Sequence, residues 1–247
     1  MKKLMYISGI FGFLLIMGII ALSLFHQITP AGEDKLMSTG NTTEFENSGD
    51  MIQLPPPKKK GTVSIEEALQ LRRSVRSYAS QALTVAEVGQ LLWSAQGITH
   101  ARGFRTAPSA GATFPLEMFV LVNNVDGLRK GLYQYLPADH QLLWVHGREV
   151  ASDLVRASHS QSMIAEAGVV LVFGAVFERT TQRYSERGVR YVYNEIGHAS
   201  QNVHLQAAAL NLGTVVIGAY NDEQVEEILG LDPGIRILYM MPVGKMP

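Results

Sequence analysis

A long apolar stretch near the C-terminus constrains the fold of this chain more than any other feature. Residues 189–212 carry apolar side chains at helical spacing on two opposite faces. One face consists of Val192, Ile196, Ala199, Val203, Ala207 and Leu210, and the other consists of Leu205, Ala208, Ala209 and Leu212. Because a helix with two apolar faces packs between other elements, we predict one long helix that is buried nearly all round.

The residues that follow this helix predict a cap and a strand. Gly213 stands where a left-handed helix cap favours a residue without a Cβ atom. Residues 214–217 are all β-branched and predict a buried strand that ends at Gly218. The central unit of the chain is therefore predicted to be a helix, a glycine cap and a buried strand.

Composition excludes several functions. The 247 residues are 47% hydrophobic and 17% charged, with a formal net charge of −1, which is typical of a globular protein without a charge bias toward nucleic acid. We therefore expect no nucleic-acid partner. The chain has no cysteine, so disulfides, thiolate zinc sites and thiol nucleophiles are excluded.

The N-terminal residues predict a membrane anchor. Lys2 and Lys3 precede an uncharged apolar run over residues 4–25, which is long enough for a transmembrane helix. No small-residue cleavage pattern follows, so residues 1–25 are interpreted as an uncleaved anchor rather than a removed signal sequence. The two lysines would place the rest of the chain on the extracytoplasmic side. The alternative is a secreted or periplasmic protein after signal cleavage.

The rest of the chain divides into a linker and one domain. Residues 26–60 are poor in large apolar side chains and rich in proline and glycine, which predicts a flexible linker. Residues 61–247 are numerous enough to bury the core of a single domain. We therefore expect one folded domain that begins at residue 61.

Local signals predict the elements of this domain. Capping boxes at Ser64 and Thr84 predict two short helices. Further helices are predicted at residues 150–157 and 222–229, and strands at residues 118–122, 132–136, 142–145, 169–173 and 235–241. These elements do not alternate regularly, and neither a dinucleotide-binding glycine motif nor a P-loop nor a serine-hydrolase elbow occurs. A doubly wound sheet is therefore not expected.

Two segments are candidates for binding a ligand. Arg72, Arg73, Ser74 and Arg76 place three guanidinium groups and a hydroxyl within five residues, which suits a phosphate group. The alternative is a solvated charged face. Residues 98–115 form a loop with small side chains that would let a flat molecule approach the backbone, and the alternative is an ordinary connecting loop.

A metal site is not expected. Glu195 and His198 form a Glu-x-x-His pair on the long helix. Di-iron carboxylate proteins need two such pairs and further glutamates on a four-helix bundle, and this chain has one pair and many strands. We interpret His198 and His204 as polar positions with satisfied hydrogen bonds in a packed helix.

The segments in this order resemble a known family. Over residues 64–247 the chain is similar to the SagB/ThcOx group of the FMN-dependent nitroreductase superfamily. The similar motifs are RRSVR at residues 72–76, LLWSAQGIT at 91–99, RTAPSAGATFPLE at 105–117, GLYQY at 131–135, EIGHASQNVHLQAAALNLG at 195–213 and VGK at 243–245. The resemblance implies a two-layer α+β fold with a mainly antiparallel sheet, which forms a homodimer through the long central helix. With the predicted anchor, the expected fold class also includes an N-terminal transmembrane helix.

The resemblance also implies two FMN sites at the dimer interface. Arg72, Arg73, Ser74 and Arg76, with Lys245, would hold the phosphate and ribityl chain. The residues expected along the isoalloxazine ring are Pro108, Ser109, Ala110 and Gly111. The backbone of Ile217 and Gly218 would approach the reactive edge of the ring.

The implied function is that of an FMN-dependent oxidoreductase that moves hydride between a donor such as NAD(P)H and a small organic acceptor. Azoline-oxidising members carry a Lys-Tyr pair before the central helix, and the corresponding pair here is Arg183-Tyr184. Tyr184 is the candidate proton donor or acceptor, whereas Arg183 stays protonated and cannot act as a base. The alternative is a flavin-binding or scaffold protein without turnover.

Overall fold

The computed structural model describes residues 51–247. The helices in this part of the chain are α1 (Ile65–Leu71), α2 (Val85–Gln96), α3 (Ala151–Ala157), α4 (Met163–Glu166), α5 (Glu178–Tyr184), α6 (Arg187–Ala209) and α7 (Asp222–Leu229). The strands are β1 (Met51–Gln53), β2 (Leu83–Thr84), β3 (Leu116–Val122), β4 (Val125–Asp126), β5 (Gly131–Leu136), β6 (Gln141–His146), β7 (Val169–Ala175), β8 (Leu212–Thr214) and β9 (Arg236–Lys245).

Seven of these strands form one antiparallel sheet in the order β1-β6-β5-β3-β7-β9-β8. Strand β7 lies in the interior of the sheet, and all seven of its residues are buried. A strand that is buried along its whole length needs a packed layer on each side of the sheet. The sequence of β7, VVLVFGA, is accordingly an uninterrupted apolar run rather than an alternating one.

Helices cover both faces of the sheet. One face packs against α2 and α6, where Leu92 and Val192 meet Val120 of the sheet. The other face packs against α3, α4 and α7, where Leu154 and Val225 contribute to a second apolar cluster. The predicted α+β fold is confirmed, and the prediction of two layers is corrected to three.

Helix α6 is buried on one face within the chain rather than all round. Ala199 and Val203 are fully buried in the core, while Tyr193 on another face is 54% exposed. The left-handed residue after the helix is Asn211, with φ of 55°, because asparagine tolerates this conformation almost as glycine does. Gly213 instead lies in β8, where a Cβ atom would come within 2.7 Å of Val75 Cγ1.

The predicted helix starts are confirmed. The Thr84 hydroxyl accepts a hydrogen bond from the Glu87 N–H at 3.2 Å, and Glu87 Oε2 accepts one from the Thr84 N–H at 2.9 Å. This reciprocal pair satisfies two amides that α2 would otherwise leave free. Ser64 caps α1 by accepting a hydrogen bond from the Glu67 N–H at 3.1 Å.

The start of the described chain differs from the predicted linker of residues 26–60. Residues Met51–Gln53 form β1, which pairs with Gln141–Leu143 at the edge of the sheet. The Lys58 N–H then donates to Gln90 Oε1 of α2 at 2.8 Å. The end of the predicted linker, from residue 51 onward, is therefore held against the domain. The other predicted domain boundaries stay predictions.

The predicted transmembrane helix requires a correction. Its residues 4–25 lie outside the described residues. Within residues 51–247 no helix is both long and apolar enough to cross a membrane. The fold class that is supported is the α+β fold alone, and neither a transmembrane helix nor a membrane-anchored localisation is supported.

The buried face of α6 leads to a first prediction. Ala199→Glu would place an unpaired carboxylate in the core between α6 and the sheet, which should cost several kcal/mol of folding stability. Ala165→Glu, at an exposed position of α4 on the opposite face of the sheet, is the matched control and should unfold like the wild type. Thermal unfolding of the purified full-length variants checks this. An unchanged melting temperature for Ala199→Glu would contradict the burial of this face of α6 against the sheet.

Candidate functional site

The arginine segment, residues 72–76, is fixed against the end of the sheet. The Val75 N–H donates to the Thr214 carbonyl of β8 at 2.9 Å. Three residues after the segment, the Ala79 N–H donates to the Lys245 carbonyl of β9 at 3.1 Å. The structure therefore brings the predicted arginines beside the strand end that carries the predicted lysine.

The arginine segment also borders the central helix at His204. This imidazole is 8% exposed, and its Nδ1 has no hydrogen-bond partner among residues 51–247. Burial lowers the pKa of His204, and the nearby Arg72 guanidinium lowers it further. The expectation that His204 is a satisfied polar position is therefore wrong. Its neutral ring presents an unsatisfied nitrogen next to a guanidinium group.

Two of the predicted cations are engaged within the chain. Lys245 Nζ lies 2.5 Å from Glu87 Oε1. Burial acts to raise the pKa of Glu87, but hydrogen bonds from Lys245 and Thr84 outweigh this effect and lower it. Arg73 Nη1 donates to the backbone carbonyls of Gln70 and Arg72, both at 2.8 Å. Arg73 thus folds back onto α1, and the Lys245 ammonium group is paired with Glu87 of α2.

The small-residue loop, residues 108–111, lies against α5. Gly111 has φ of +59°, and a Cβ atom there would lie 2.5 Å from Tyr184 Oη. Arg183 Nη1 donates to the Gly111 carbonyl at 3.1 Å. Only a glycine allows this contact, because the backbone is left-handed and the tyrosine hydroxyl occupies the space of a side chain. The structure therefore brings the Tyr184 hydroxyl together with the loop.

Tyr184 is held from two further directions. Its ring stacks edge-on against Tyr191 of α6, with centroids 5.1 Å apart. The Arg183 guanidinium lies 5.5 Å from the centroid of the same ring. Helix α5, which carries the pair, was not predicted from the sequence.

A buried carboxyl lies behind the small-residue loop. Glu195 of α6 is 3% exposed, and its Oε1 has no hydrogen-bond partner in the described part of the chain. Burial raises the pKa of Glu195 to about 7, although the Ser109 hydroxyl and the Arg105 guanidinium oppose the shift. One sequence signal could have indicated this burial, because Glu195 lies on the same apolar helix face as Val192 and Ile196. From the sequence, we considered Glu195 only as part of the Glu-x-x-His pair.

The two members of the Glu-x-x-His pair differ in exposure. Glu195 is buried and His198 is exposed, although residues three positions apart are neighbours on a helix. No group of three or more metal-ligating side chains occurs among residues 51–247.

The residues predicted to meet the reactive edge of the flavin differ in accessibility. The Ile217 N–H donates to the Met240 carbonyl at 2.8 Å, and the Met240 N–H donates back to Ile217 at 3.0 Å. The Ile217 side chain belongs to the apolar cluster on the sheet face opposite α6. Gly218 is exposed beside Tyr239, and the structure therefore leaves Gly218 as the available backbone of the two.

Apart from Ile217 and Gly218, the predicted site residues form two groups along α6. Glu195 marks the group around the small-residue loop, and His204 marks the group around the arginine segment. These two residues are nine positions apart, which corresponds to about 14 Å along a helix. Each group contains a buried side-chain atom without a hydrogen-bond partner among the described residues. Such atoms are uncommon in folded proteins, and a bound ligand or water is one explanation for them.

The antiparallel sheet lies between two layers of helices, which defines an α+β protein. Residues 69–245 match the model of the nitroreductase family. The chain therefore belongs to the nitroreductase family, which is a family of oxidoreductases.

A curated relative agrees with this assignment over most of its length. MJ1384 of Methanocaldococcus jannaschii, whose name assigns it provisionally to the nitroreductases, is 45% identical over 194 residues. The match covers 78% of this chain and 96% of the relative. A solved structure from Ralstonia eutropha JMP134, also described provisionally as a nitroreductase, has a TM-score of 0.70 and 26% identity. That match covers 80% of this chain and 90% of the other.

A second relative belongs to the SagB-like processing proteins. McbC of Escherichia coli, the microcin B17-processing protein, is 31% identical over 133 residues, which cover 52% of this chain and 49% of McbC. The chain thus spans about half of the length of McbC. The expected place within the superfamily, the SagB type, is confirmed.

The contact between Gly111 and Tyr184 can be tested by unfolding measurements. Gly111→Ala should cost about 1–3 kcal/mol, since it adds both a left-handed alanine and a clash with Tyr184 Oη. Gly103→Ala is the matched control, because Gly103 has φ of +80° but nothing lies within 4 Å of its Cβ position. In a Tyr184→Phe background the cost of Gly111→Ala should fall toward that of Gly103→Ala. Equal costs at both glycines in the wild-type background would exclude the contact.

Proposed function

We propose that this protein is an FMN-dependent oxidoreductase of the SagB type. It moves hydride between a donor such as NAD(P)H and a small organic acceptor through one bound FMN. The observation that carries the proposal is the arginine segment, which is anchored to the end of the sheet beside an unsatisfied, buried imidazole. Members of the nitroreductase superfamily generally bind flavin.

The phosphate end of FMN fits the arginine segment. Arg72 and Arg76 supply guanidinium forks and Ser74 a hydroxyl, which together match the oxygens of a phosphate group. His204 lies near Arg72, and its Nδ1 atom has no hydrogen-bond partner among the described residues. This atom adds a further polar group to the site. Lys245 would contribute its charge if a phosphate drew it away from Glu87.

The ring end of FMN fits the small-residue loop. Pro108 and Gly111 are exposed and have no bulky side chain that would keep a flat ring from the backbone. Bound FMN would supply the hydride-transfer chemistry, which no side chain provides. The Tyr184 hydroxyl, which lies beside Gly111, would give or take the proton that accompanies hydride transfer. Gly218 offers an exposed backbone to the ring edge.

The Arg183 guanidinium has a structural role in this proposal. It donates a hydrogen bond to the Gly111 carbonyl and so holds the loop beside Tyr184. Guanidinium groups are poor general bases, so the proton transfer is assigned to Tyr184.

The proposal includes a homodimer that forms through α6. Tyr193 and Val189 are large apolar or aromatic side chains on this helix that are 54% and 38% exposed in the single chain. Burial of such side chains favours association. A dimer through α6 would bring the two groups of site residues from both chains to one interface, where two flavin sites would form.

Flavin binding and turnover are tested together on the full-length protein. We expect the purified protein to be yellow or to become yellow with added FMN, to lose its 450 nm absorbance with NAD(P)H or another donor, and to regain it with an acceptor. Colour that no donor removes would favour a flavin-binding protein without turnover. Failure to bind FMN at all would refute both the oxidoreductase and the flavin-binding protein without turnover.

The phosphate contact gives a quantitative prediction. Arg72→Ala with Arg76→Ala should raise the Kd for FMN by about a hundredfold or more, since each charge-assisted contact contributes about 1.5–3 kcal/mol. Riboflavin, which has no phosphate, should bind the variant and the wild type alike. Lys130→Ala with Arg156→Ala removes two exposed charges elsewhere and serves as the control. Flavin fluorescence quenching measures each Kd, and an unchanged FMN Kd in the first variant would remove these arginines from the site.

A further inference from the structure

Two arginines of α5 lie one helical turn apart and bind the chain between the small-residue loop and β3. Arg179 Nη1 donates to the Phe114 carbonyl at 3.1 Å, and Arg183 Nη1 donates to the Gly111 carbonyl at 3.1 Å. The two side chains differ in their second terminal nitrogen. Arg179 Nη2 is paired with Glu117 Oε1 at 2.5 Å, whereas Arg183 forms no salt bridge with another residue of the described chain.

The Arg183 guanidinium is exposed, yet it is held in place. Besides its bond to Gly111, it lies 5.5 Å from the centroid of the Tyr184 ring, which in turn stacks edge-on against Tyr191 at 5.1 Å. A guanidinium group has five N–H donors in a planar fork, and the Gly111 carbonyl is the one hydrogen-bond acceptor that Arg183 meets among residues 51–247. The remaining donors are therefore preorganised, which lowers the entropic cost of binding a ligand.

The Arg183 fork and the Tyr184 hydroxyl border the same small space. A Cβ atom on Gly111 would lie 2.5 Å from Tyr184 Oη and 2.9 Å from Arg183 Nη1. Gly111 is exposed, so this space is open to solvent. Tyr184 Oη makes no hydrogen bond with another described residue, and both groups can donate. The space therefore suits a ligand that accepts hydrogen bonds and carries negative charge.

We propose that Arg183 determines acceptor specificity by binding a carboxylate of the hydride acceptor, which makes the acceptor an organic anion. The carboxylate takes the place at Arg183 that Glu117 takes at Arg179, since arginine pairs strongly with carboxylates. This contact leaves the neighbouring Tyr184 hydroxyl to the reacting part of the acceptor. The inference rests on the proposed function, because Gly111 belongs to the loop proposed to meet the FMN ring.

The charges around Arg183 agree with an anionic ligand. From the start of α5 through the first turn of α6, the chain carries four arginines and two glutamates. The glutamates, Glu178 and Glu186, form no salt bridge with another described residue, and Arg187 and Arg190 are exposed and form none either. An excess of cations beside a site raises the local concentration of anionic ligands.

The first test compares a charged acceptor with a neutral one in the full-length protein loaded with FMN. The acceptors p-nitrobenzoate and p-nitrobenzyl alcohol differ at the group that Arg183 would bind, and the uncharged donor N-benzyl dihydronicotinamide brings no phosphate. We expect Arg183→Gln to lower the ratio of the two kcat/KM values, charged over neutral, by about tenfold to a hundredfold. A mere loosening of the loop would lower both values alike and leave the ratio unchanged, which would overturn the inference.

Arg179→Gln is the matched control. It also removes one positive charge and one bond to a loop carbonyl, but the charge is already paired with Glu117. The ratio should therefore stay within about twofold of the wild type. Arg183→Lys keeps the charge without the planar fork and should retain only part of the selectivity. The contact between the Thr180 and Thr113 hydroxyls, at 2.8 Å, still joins α5 to the loop in all of these variants.

NADPH offers the same anionic chemistry from the donor side, through its phosphates. With p-nitrobenzyl alcohol as the acceptor, the kcat/KM for NADPH should be alike in the wild type and in Arg183→Gln. A loss of NADPH activity with an unchanged acceptor ratio would assign Arg183 to the donor and overturn the inference.

A calorimetric titration of p-nitrobenzoate against the full-length protein as purified needs no turnover. The affinity should fall about tenfold or more in Arg183→Gln and stay unchanged in Arg179→Gln. Equal affinity of the wild type and Arg183→Gln, or no binding by the wild type, would overturn the role of Arg183. A protein that binds p-nitrobenzoate through Arg183 and takes up no FMN would refute only the proposed function.

Discussion

The packing of one face of α6 against α2 and the sheet is the interaction on which the rest of the structure depends. Val192, Ala199 and Val203 are completely buried in this contact. Full burial of each valine contributes roughly 1.5–3 kcal/mol, which fixes the rotation of the helix about its axis. The polar residues Glu195 and His204 on the same face are therefore held in place by their apolar neighbours. Their unsatisfied atoms are a consequence of that packing, and they mark the two ends of the candidate site.

Much of the fold could be predicted from the sequence because its signals are local. The hairpin of β5 and β6 follows from two apolar runs around a turn, and α2 follows from a capping box that needs only Thr84 and Glu87. The face of α6 that meets its own chain could not be predicted, because periodicity shows that a face is apolar and not what covers it. Strand β1 has three residues and is stabilised by a partner about 90 positions later, so it leaves no local pattern.

In the candidate site, features that are local in sequence could be predicted and contacts between distant residues could not. The cluster of arginines predicted a phosphate site, and the run of small residues predicted a surface for a flat ring. The pairing of Lys245 with Glu87 and the contact of Tyr184 with Gly111 join distant parts of the chain and follow only from the fold. The burial of Glu195 could not be predicted, because its Glu-x-x-His spacing does not show what covers this face of the helix. Burial raises the pKa of Glu195 to about 7.

The most direct measurement of the central claim is a crystal structure of the full-length protein with FMN. The account predicts a dimer through α6 in which the phosphate contacts Arg72 and Arg76, with His204 Nδ1 within hydrogen-bonding distance of the ligand. The isoalloxazine ring should lie along Pro108 to Gly111, beside the Tyr184 hydroxyl. An FMN molecule bound elsewhere, with His204 still unpartnered and the small-residue loop free of the ring, would contradict it.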